Sequence, residues 1–361
     1  MRETRRAFLR ASAAVLSAPL LPACAAGDRE AFAAAASRLR AALARDPQLP
    51  DLVRFATLAA NGHNTQPWRF AARPSGVALL PDSSRRTPIV DPDDHHLYVS
   101  LGCAAENLRI AAAARGRAAE PALRDGAAGI ELDWVAAPSR EDGLFAAIPR
   151  RQSTRAVYAN RPVPTAQLRE LEAAARIEGV ALRLVTAAAQ REQILEFVLR
   201  GNTEQMDDPR FRGELLRWIR FDADAALAAG DGLYGACSGS PTLPSWAGRR
   251  LFPLIFRKGA ENDRYAQHLR SSSGIAVFVG DRADPDHWMR VGRSFQRFAL
   301  RATALGLRHA HVNQPVEVPA VRADFARWLE TERRPDLVVR FGYAERLPMS
   351  LRRPVAAVLE A

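Results

Sequence analysis

Two long apolar segments, residues 97–116 and 288–306, constrain the fold of this chain most, because they share one pattern. Their apolar spacing predicts two helices of similar length, and each is followed by residues that return to a strand. We therefore interpret the pair as a weak internal duplication, with two unrelated amphipathic helices as the alternative. The shared positions are Gly102, Glu106 and Gly116 in the first segment and Gly292, Gln296 and Gly306 in the second.

The rest of the chain alternates between helical and strand periods, which predicts an α+β protein in two parts. A break with Pro138 separates a first part, residues 28–145, from a second part, residues 146–361. The stretch from about 201 to 262, called the insert below, is rich in Gly, Pro, Ser and Trp, and such stretches are usually lids, binding segments or disordered. The predicted helices also cover 29–60, the residues after Pro164-Thr165, and 191–201; the predicted strands cover 77–81, 130–135, 182–185, 275–279 and 337–342.

The charge of the chain argues against a nucleic-acid partner. The net charge is +11, and Lys258 is the single lysine among 51 basic residues. The arginines are scattered over helical faces and do not form one stripe with interleaved aromatic residues. We therefore expect no nucleic-acid surface, and 361 residues with 48% hydrophobic side chains are enough to bury a sizeable core.

The N-terminus has the features of an export signal. Arg5 and Arg6 precede a short apolar run that resembles the core of a twin-arginine signal, so residues 1–27 are interpreted as a signal and not as part of the fold. The implied partner is the twin-arginine export machinery, and the implied location is the periplasm. Cys24 ends a lipobox-like stretch, so a lipid on it could anchor a lipoprotein to the membrane; the alternative is cleavage after Ala26.

Two cysteines, Cys103 and Cys237, remain in the folded body and could form one disulfide or none. No Cys/His spacing suggests zinc. The sequence Asp93-Asp94-His95-His96 precedes a predicted helix, where acids serve as caps; a metal site is the alternative, and we expect no metal. No nucleophile-elbow or dinucleotide-binding motif is present, which excludes hydrolase and Rossmann interpretations.

Residues 63–70, His-Asn-Thr-Gln-Pro-Trp-Arg-Phe, are the most informative short segment. Asn64 and Gln66 offer uncharged donors and acceptors side by side, which suits the edge of a heterocyclic ring. Pro67 fixes the backbone and Trp68 provides a large apolar anchor. The alternative is a helix end followed by a tight turn with a buried tryptophan.

Two basic segments are candidates for binding a phosphate. Residues 150–155, Arg-Arg-Gln-Ser-Thr-Arg, place guanidinium groups around a small hydroxyl, which suits charge-assisted bonds to an anion. Arg352 and Arg353 follow the last predicted strand. A basic surface run and a solvated tail are the respective alternatives. His309 and His311 could approach a bound ring or serve the structure.

Together these segments resemble the nitroreductase superfamily of flavin mononucleotide (FMN) enzymes. The Asn-x-Gln-Pro-Trp string, the Arg-x-Ser-x-Arg element and the C-terminal arginines match its motifs, but the phosphate element stands in mid-chain and the Asn-x-Gln loop occurs once. This distribution resembles the Acg-type branch and implies two related halves that form an intrachain pseudo-dimer with one FMN, each a mainly antiparallel sheet flanked by helices. The implied FMN-binding residues are His63, Asn64, Gln66, Arg151, Gln152, Ser153, Arg155, His311, Arg352 and Arg353.

The resemblance implies an oxidoreductase in which the flavin carries the redox chemistry, so no side chain is predicted as a catalytic acid or base. The expected partners are a small-molecule electron donor and a nitro, quinone or similar acceptor. The alternative function is an FMN-binding or sequestering protein in which the insert covers the flavin and little turnover occurs.

Overall fold

The computed structural model describes residues 27–123 and 129–360, in which helices surround mainly antiparallel sheets. This arrangement confirms the predicted α+β class. The helices are α1 Arg29–Leu39, α2 Leu49–Thr57, α3 His95–Ala113, α4 Gly143–Ala147, α5 Thr165–Ala175, α6 Ala188–Asp207, α7 Pro209–Trp218, α8 Ala223–Ala229, α9 Ser245–Ile255, α10 Lys258–Arg270, α11 Pro285–Ala304, α12 Gln314–Glu317 and α13 Pro319–Trp328.

Two sheets form the framework, and the C-terminus connects them. The larger sheet has the order β13-β1-β2-β5-β4 and the second has the order β11-β12-β10-β7. The last strand returns to the first sheet, where Leu359 lies opposite Phe70 in a parallel pair. The strands are β1 Trp68–Arg73, β2 Gly76–Pro81, β3 Arg117–Ala118, β4 Ala122–Leu123, β5 Ile130–Asp133, β6 Val135–Ala136, β7 Val180–Val185, β8 Ile219–Arg220, β9 Leu233–Tyr234, β10 Gly274–Gly280, β11 Arg308–His311, β12 Pro335–Gly342 and β13 Leu359–Glu360.

Helices α3 and α11, the two predicted long helices, cross at the centre through their glycines. A Cβ atom on Gly102 would lie 2.0 Å from the carbonyl oxygen of Met289, and one on Gly292 would lie 2.0 Å from that of Val99. Each glycine therefore meets the carbonyl three residues before the other glycine. Only glycine permits this close approach of two backbones.

The same crossing contains a buried polar network. Burial alone would raise the pKa of Glu106, but Arg109, Arg293 and Arg297 lower it to about 2. Arg293 donates to the Glu106 carboxylate at 3.0 Å, and Arg297 does so at 3.1 Å. A buried charge of this kind is tolerated because it is paired and hydrogen-bonded. The network thus fixes the position of α3 relative to α11 where the two helices cross.

Two predicted segments differ from the structure. The helical pattern over 29–60 is divided into α1 and α2, with residues 40–48 between them. The insert, expected to be loop-rich from its Gly, Pro and Ser content, is mainly helical. Two of its helices start at acidic N-caps: Asp208 accepts from the backbone of Arg210 and Asp222 from that of Ala225. An acidic N-cap followed by proline is a helix start as well as a break.

The structure also shows the state of the two cysteines and the length of the apolar helices. Cys103 and Cys237 are both free thiols. Cys103 donates to the carbonyl of Gly292 at 3.2 Å, at the helix crossing. Within residues 27–123 and 129–360, no helix has the length and apolar content that a bilayer span requires. The twin-arginine pair and Cys24 lie outside the described residues.

Candidate functional site

A cavity of about 400 Å³ lies between the central helices, the second sheet and the insert. Its volume is within the usual range for a small-molecule site. The framework contributes residues 60–63, one side of α3 and the end of β11, and the insert contributes the opposite wall. The predicted FMN-binding residues that line it are His63, Arg155 and His311.

The loop that follows α2 is strained and tightly held. His63, Asn64 and Gln66 all have positive φ, at 48°, 54° and 54°. Such angles are uncommon outside glycine and are found where the surroundings fix the backbone. The loop leads directly to the fully buried Trp68. Its local form is therefore the helix end, tight turn and buried tryptophan of the alternative interpretation.

The amide of Asn64 is engaged within the protein. Its nitrogen donates to the carbonyls of Gly232 at 3.1 Å and Leu351 at 3.3 Å. Its oxygen accepts from Arg352 at 3.0 Å. These bonds tie the loop to the insert and to the C-terminal segment. A contact of Asn64 with a ring edge would require them to be exchanged.

The amide of Gln66 is engaged in the same manner. The side chain is fully buried and donates to the carbonyl of Gly230 at 2.9 Å. Its oxygen accepts from the backbone of Arg353 at 2.8 Å. In this structure the Asn-x-Gln pair therefore joins three segments of chain, and its predicted place at a flavin edge stays a prediction.

The first basic segment divides its side chains between the cavity and the protein interior. Arg155 faces the cavity, whereas Gln152 donates to the carbonyl of Leu347 at 2.6 Å and so holds the C-terminal segment. The backbone of Ser153 pairs with that of the strand residue His309 in an isolated parallel β-bridge. Arg151 is buried, and it donates to the carbonyl of Leu58 at 2.8 Å. Burial lowers the pKa of Arg151 to about 10.

Arg352 and Arg353 have partners within the protein, and the phosphate role predicted for them stays a prediction. Arg352 is buried and donates to the backbone oxygens of Thr57 at 2.5 Å and Ala59 at 3.1 Å. It therefore caps the C-terminus of α2, where a positive charge is favourable. Arg353 donates to the carboxylate of Asp82 at 3.4 Å.

The cavity holds the guanidinium groups of Arg155 and Arg264 together with the carboxylates of Glu261 and Glu317; Glu261 lies 3.9 Å from Arg264. Among the described residues the Arg155 side chain forms no hydrogen bond or ion pair, although the charge of Glu317 acts favourably on it. Burial lowers the pKa of Arg155, and repulsion from Arg264 acts in the same direction. Arg264 donates to the hydroxyl of Ser240 and to the carbonyl of Ser238, both at 3.0 Å. Two adjacent guanidinium groups and serine hydroxyls suit an anion such as a phosphate.

The cavity histidines are neutral. Burial lowers the pKa of His63 to about 4 and that of His311 to about 3. Burial also lowers the pKa of His96 and His268, which line the same space. These rings can accept or donate one hydrogen bond without a charge that would oppose the arginines.

Sequence reasoning missed Gln314, which lines the cavity. Its nitrogen donates to the hydroxyl of Tyr265 at 2.5 Å, and its buried oxygen has no partner in the described chain. The neighbouring Asn313 accepts from the backbone of Val338 at 2.9 Å. The signal was present, because Asn313-Gln314-Pro315 repeats the amide–amide–proline order of the first loop without its intervening threonine.

The insert forms an apolar wall opposite these polar groups. Phe252 stacks on Phe256 with ring centroids 4.9 Å apart, and its other edge meets Phe221. An apolar wall facing a few convergent polar groups is typical of sites for flat, partly polar ligands. The insert residues with large apolar side chains at the cavity are Phe211, Leu215, Ile219, Phe221, Leu233, Leu243, Phe252, Ile255 and Phe256.

The histidine pair at the start of α3 is used by the fold. Both carboxylate oxygens of Asp91 accept backbone N–H groups of the first turn, from His96 and Leu97, each at 3.0 Å. His95 lies 2.9 Å from the buried Asp336 carboxylate. Burial raises the pKa of Asp336 to about 7. Asp91 therefore caps the helix, whereas Asp94 at the N-cap position makes no side-chain cap bond. Asp91, His95 and His96 also lie close enough to share a metal ion.

Comparison with known proteins gives sequence relatives along most of the chain. No protein-family model matches it. The chain is 27% identical over 324 residues to the Mycobacterium tuberculosis H37Rv protein "Putative NAD(P)H nitroreductase Rv3131", which covers 86% of this chain and 90% of the relative. It is 25% identical over 323 residues to "Putative NAD(P)H nitroreductase acg" of the same organism, which covers 85% and 93%.

Two solved structures show weak similarity to this chain. The FMN-dependent nitroreductase NfnB from Mycobacterium smegmatis in complex with NADPH is 16% identical, with a TM-score of 0.37 over 56% of this chain and 88% of that chain. A nitroreductase-like family protein from Bacillus cereus is 14% identical, with a TM-score of 0.37 over 62% and 98%. The two sequence relatives confirm the predicted resemblance to the nitroreductase superfamily.

Proposed function

We propose that this protein is an FMN-binding oxidoreductase of nitroreductase type, with the flavin in the cavity between the framework and the insert. The observation that carries the proposal is the cavity itself, which places an unpaired Arg155 opposite an apolar wall. The names of the sequence relatives support the same class of reaction.

The cavity residues fit FMN chemically. A phosphate needs cationic and hydroxyl donors, which Arg155, Arg264 and Ser240 provide. A flavin ring edge needs donors and acceptors, and the unpartnered oxygen of Gln314 is a buried acceptor that a ring N–H group could satisfy. When bound, FMN supplies the hydride and electron transfer.

The protein side chains then bind the FMN, orient it and shield it from water. Arg155 and Arg264 hold the anionic end, and Gln314 orients the polar edge. The neutral His311 adds a hydrogen-bonding group without adding charge. The phenylalanines of the insert exclude water, which strengthens every polar contact within the cavity.

Anaerobic reduction tests this function. Purified protein should show a flavin spectrum, and mixing with NADH or NADPH should bleach it. Bleaching by dithionite but by neither nicotinamide would contradict a nicotinamide-dependent reductase. Protein without any flavin absorbance, even after incubation with FMN, would contradict FMN binding altogether.

A second candidate function is flavin sequestration, and the insert is the observation that favours it. Its helices form a complete side of the cavity, with Phe252 buried and the chain around Gly232 bonded to Asn64. A flavin held behind this wall would meet acceptors slowly. Dithionite-reduced protein mixed with a nitroaromatic or a quinone separates the two functions, because an oxidoreductase is reoxidised in proportion to acceptor concentration and a sequestering protein is not.

We also propose that the chain contains two related halves, residues 28–145 and 146–361. The support is the reciprocal contact of Gly102 and Gly292 at the crossing of the two central helices. Each half contributes one sheet, and the C-terminal strand crosses back to the first. The composite cavity then takes His63 from one half and Arg155 from the other.

The export proposal rests on the sequence alone. We propose that Arg5 and Arg6 direct twin-arginine export to the periplasm, and that Cys24 carries a lipid. Changing both arginines to lysine should leave the protein in the cytoplasmic fraction. Changing Cys24 to serine should release it from the membrane fraction if it is lipidated, and should leave its distribution unchanged if the signal is simply cleaved.

A further inference from the structure

Helix α9 exposes an unusual apolar face. Of the seven large hydrophobic side chains that are exposed in the described chain, four lie on this one helix. Trp246 is 75% exposed, Leu254 is 59% exposed and Leu251 is 38% exposed; Ile255, 54% exposed, also borders the cavity. A concentrated patch of this kind marks an interaction surface, whereas scattered exposed residues need no explanation.

The charged residues within and just after α9 in the sequence are all basic. From residue 245 to residue 260 the sequence has no acidic residue and contains Arg249, Arg250, Arg257 and Lys258. Lys258 is paired with Asp207 at 2.9 Å, whereas the three arginines have no carboxylate partner in the described chain. Exposed tryptophan and aliphatic side chains, flanked by arginines, are the composition of helices that lie in a membrane interface.

The opposite side of α9 faces the cavity. Phe252 is buried there, and Gly248 packs so closely on Phe221 that a Cβ atom would lie 2.3 Å from the ring. The helix therefore separates the cavity from the exposed apolar face. Any surface that binds α9 from outside lies directly over the proposed flavin site.

The described chain also begins beside α9. Arg29 donates to the hydroxyl of Thr242 at 2.7 Å, three residues before the helix starts, and the backbone of Asp28 donates to Asp224 at 2.9 Å. Cys24 precedes Gly27 by three residues, which span at most about 10 Å. A lipid on Cys24 would thus hold the protein with α9 toward the bilayer.

From these observations we infer that α9 docks the protein on an anionic membrane surface, with Trp246, Leu251 and Leu254 entering the interface and Arg249, Arg250 and Arg257 binding lipid phosphates. This goes beyond the predicted lipid anchor, because it is a binding surface of the folded chain. It is independent of the proposed oxidoreductase function and can be tested without flavin turnover.

Quenching of Trp246 fluorescence by brominated lipids tests the inference. The full chain with Cys24→Ser is mixed with vesicles of phosphatidylcholine and phosphatidylglycerol in equal parts, and with phosphatidylcholine alone. We expect quenching with the anionic vesicles, weaker quenching at high salt, and loss of the quenched signal in Trp246→Phe. The N-terminal apolar run is common to every variant, so only differences between variants are interpreted.

The charge variants give the sharper comparison. Arg249→Gln with Arg250→Gln should lower the partition onto anionic vesicles about thirtyfold, because each basic residue near such a surface contributes about fivefold. Arg176→Gln with Arg183→Gln, two exposed arginines on other elements, should leave it unchanged. Equal binding of both double variants, or equal quenching by neutral vesicles, would overturn the inference. So would concentration-dependent dimerisation that shields Trp246 without vesicles.

Discussion

Arg155 and Arg352 have opposite surroundings, although both guanidinium groups are enclosed by the protein. Arg155 has no partner in the described chain and faces the cavity, so its loss removes a ligand contact and no internal bond. We expect Arg155→Gln to weaken FMN binding about 10- to 100-fold, because a charged hydrogen bond contributes about 1.5–3 kcal/mol. Titration of the apoprotein with FMN measures this. The exposed Arg183→Gln is the control, and equal affinities would contradict the assignment.

Arg352 is a structural residue, and its replacement should affect stability. It donates to three successive backbone oxygens at the end of α2, those of Thr57, Leu58 and Ala59. Arg352→Gln should lower the free energy of unfolding by about 3 kcal/mol, because buried acceptors lose their partner. Arg69→Gln, which removes an exposed ion pair, should change it by less than about 1 kcal/mol. Urea unfolding of both variants measures the difference.

The neutral His311 predicts a pH dependence of stability. Burial lowers its pKa to about 3 from the ordinary value of 6.5. Between these values the unfolded chain binds the proton and the folded chain does not, so this contribution is complete above pH 6.5 and is lost as the pH falls. His311→Gln removes this difference in proton binding. Between about pH 3 and pH 6.5 the unfolding free energy of the variant should therefore rise less steeply with pH, by the slope that corresponds to nearly one bound proton.

This comparison uses urea unfolding at a series of pH values. Asp336 acts in the opposite direction, since burial raises its pKa to about 7, but this effect is common to both proteins and cancels in the difference. Identical slopes would show that the pKa of His311 is the same in the folded and unfolded protein, and would contradict its lowering by burial.

At the scale of elements, the crossing of α3 and α11 depends on glycine. Gly102→Ala would place a Cβ atom 2.0 Å from the carbonyl oxygen of Met289, so the helices must separate. We expect a loss of at least about 3 kcal/mol of stability, at the upper end for overpacking. Gly213→Ala on α7, where nothing lies within 4 Å of the new atom, should stabilise by about 0.5–1 kcal/mol. Thermal unfolding compares the two, and equal changes would contradict the close contact.

The same elements show what the sequence could reveal and what it could not. The spacing of Gly102 and Gly292 predicted two matched helices, because close packing leaves a local signature in residue type. The helices of the insert were missed, because its Gly, Pro and Ser content indicated loops, and Asp208-Pro209 is compatible with both a break and a helix start. Tertiary contacts decide between these states, and a single sequence does not display them.

At the scale of the whole molecule, the sequence indicates which kinds of bond a residue can form, but it does not indicate which group the residue bonds to. Arg352 was expected to bind an anion, and in this structure it donates to carbonyl oxygens, which offer the same chemistry to a guanidinium group. Its predicted phosphate role stays a prediction. Asn64 likewise bonds the insert and the C-terminus. Which acceptor lies near depends on the path of the chain over nearly 300 residues, and that path is set by packing of the complete core.

The composite cavity predicts the flavin content of the protein. It takes His63 from the first part of the chain and Arg155 with His311 from the second, so both parts are used to build one site. We expect one FMN per chain at saturation, because a second site would need a second set of these residues. Flavin released by denaturation, measured by absorbance against the protein concentration, gives the ratio. A ratio of two would show that each half binds its own flavin, and would contradict a single composite site.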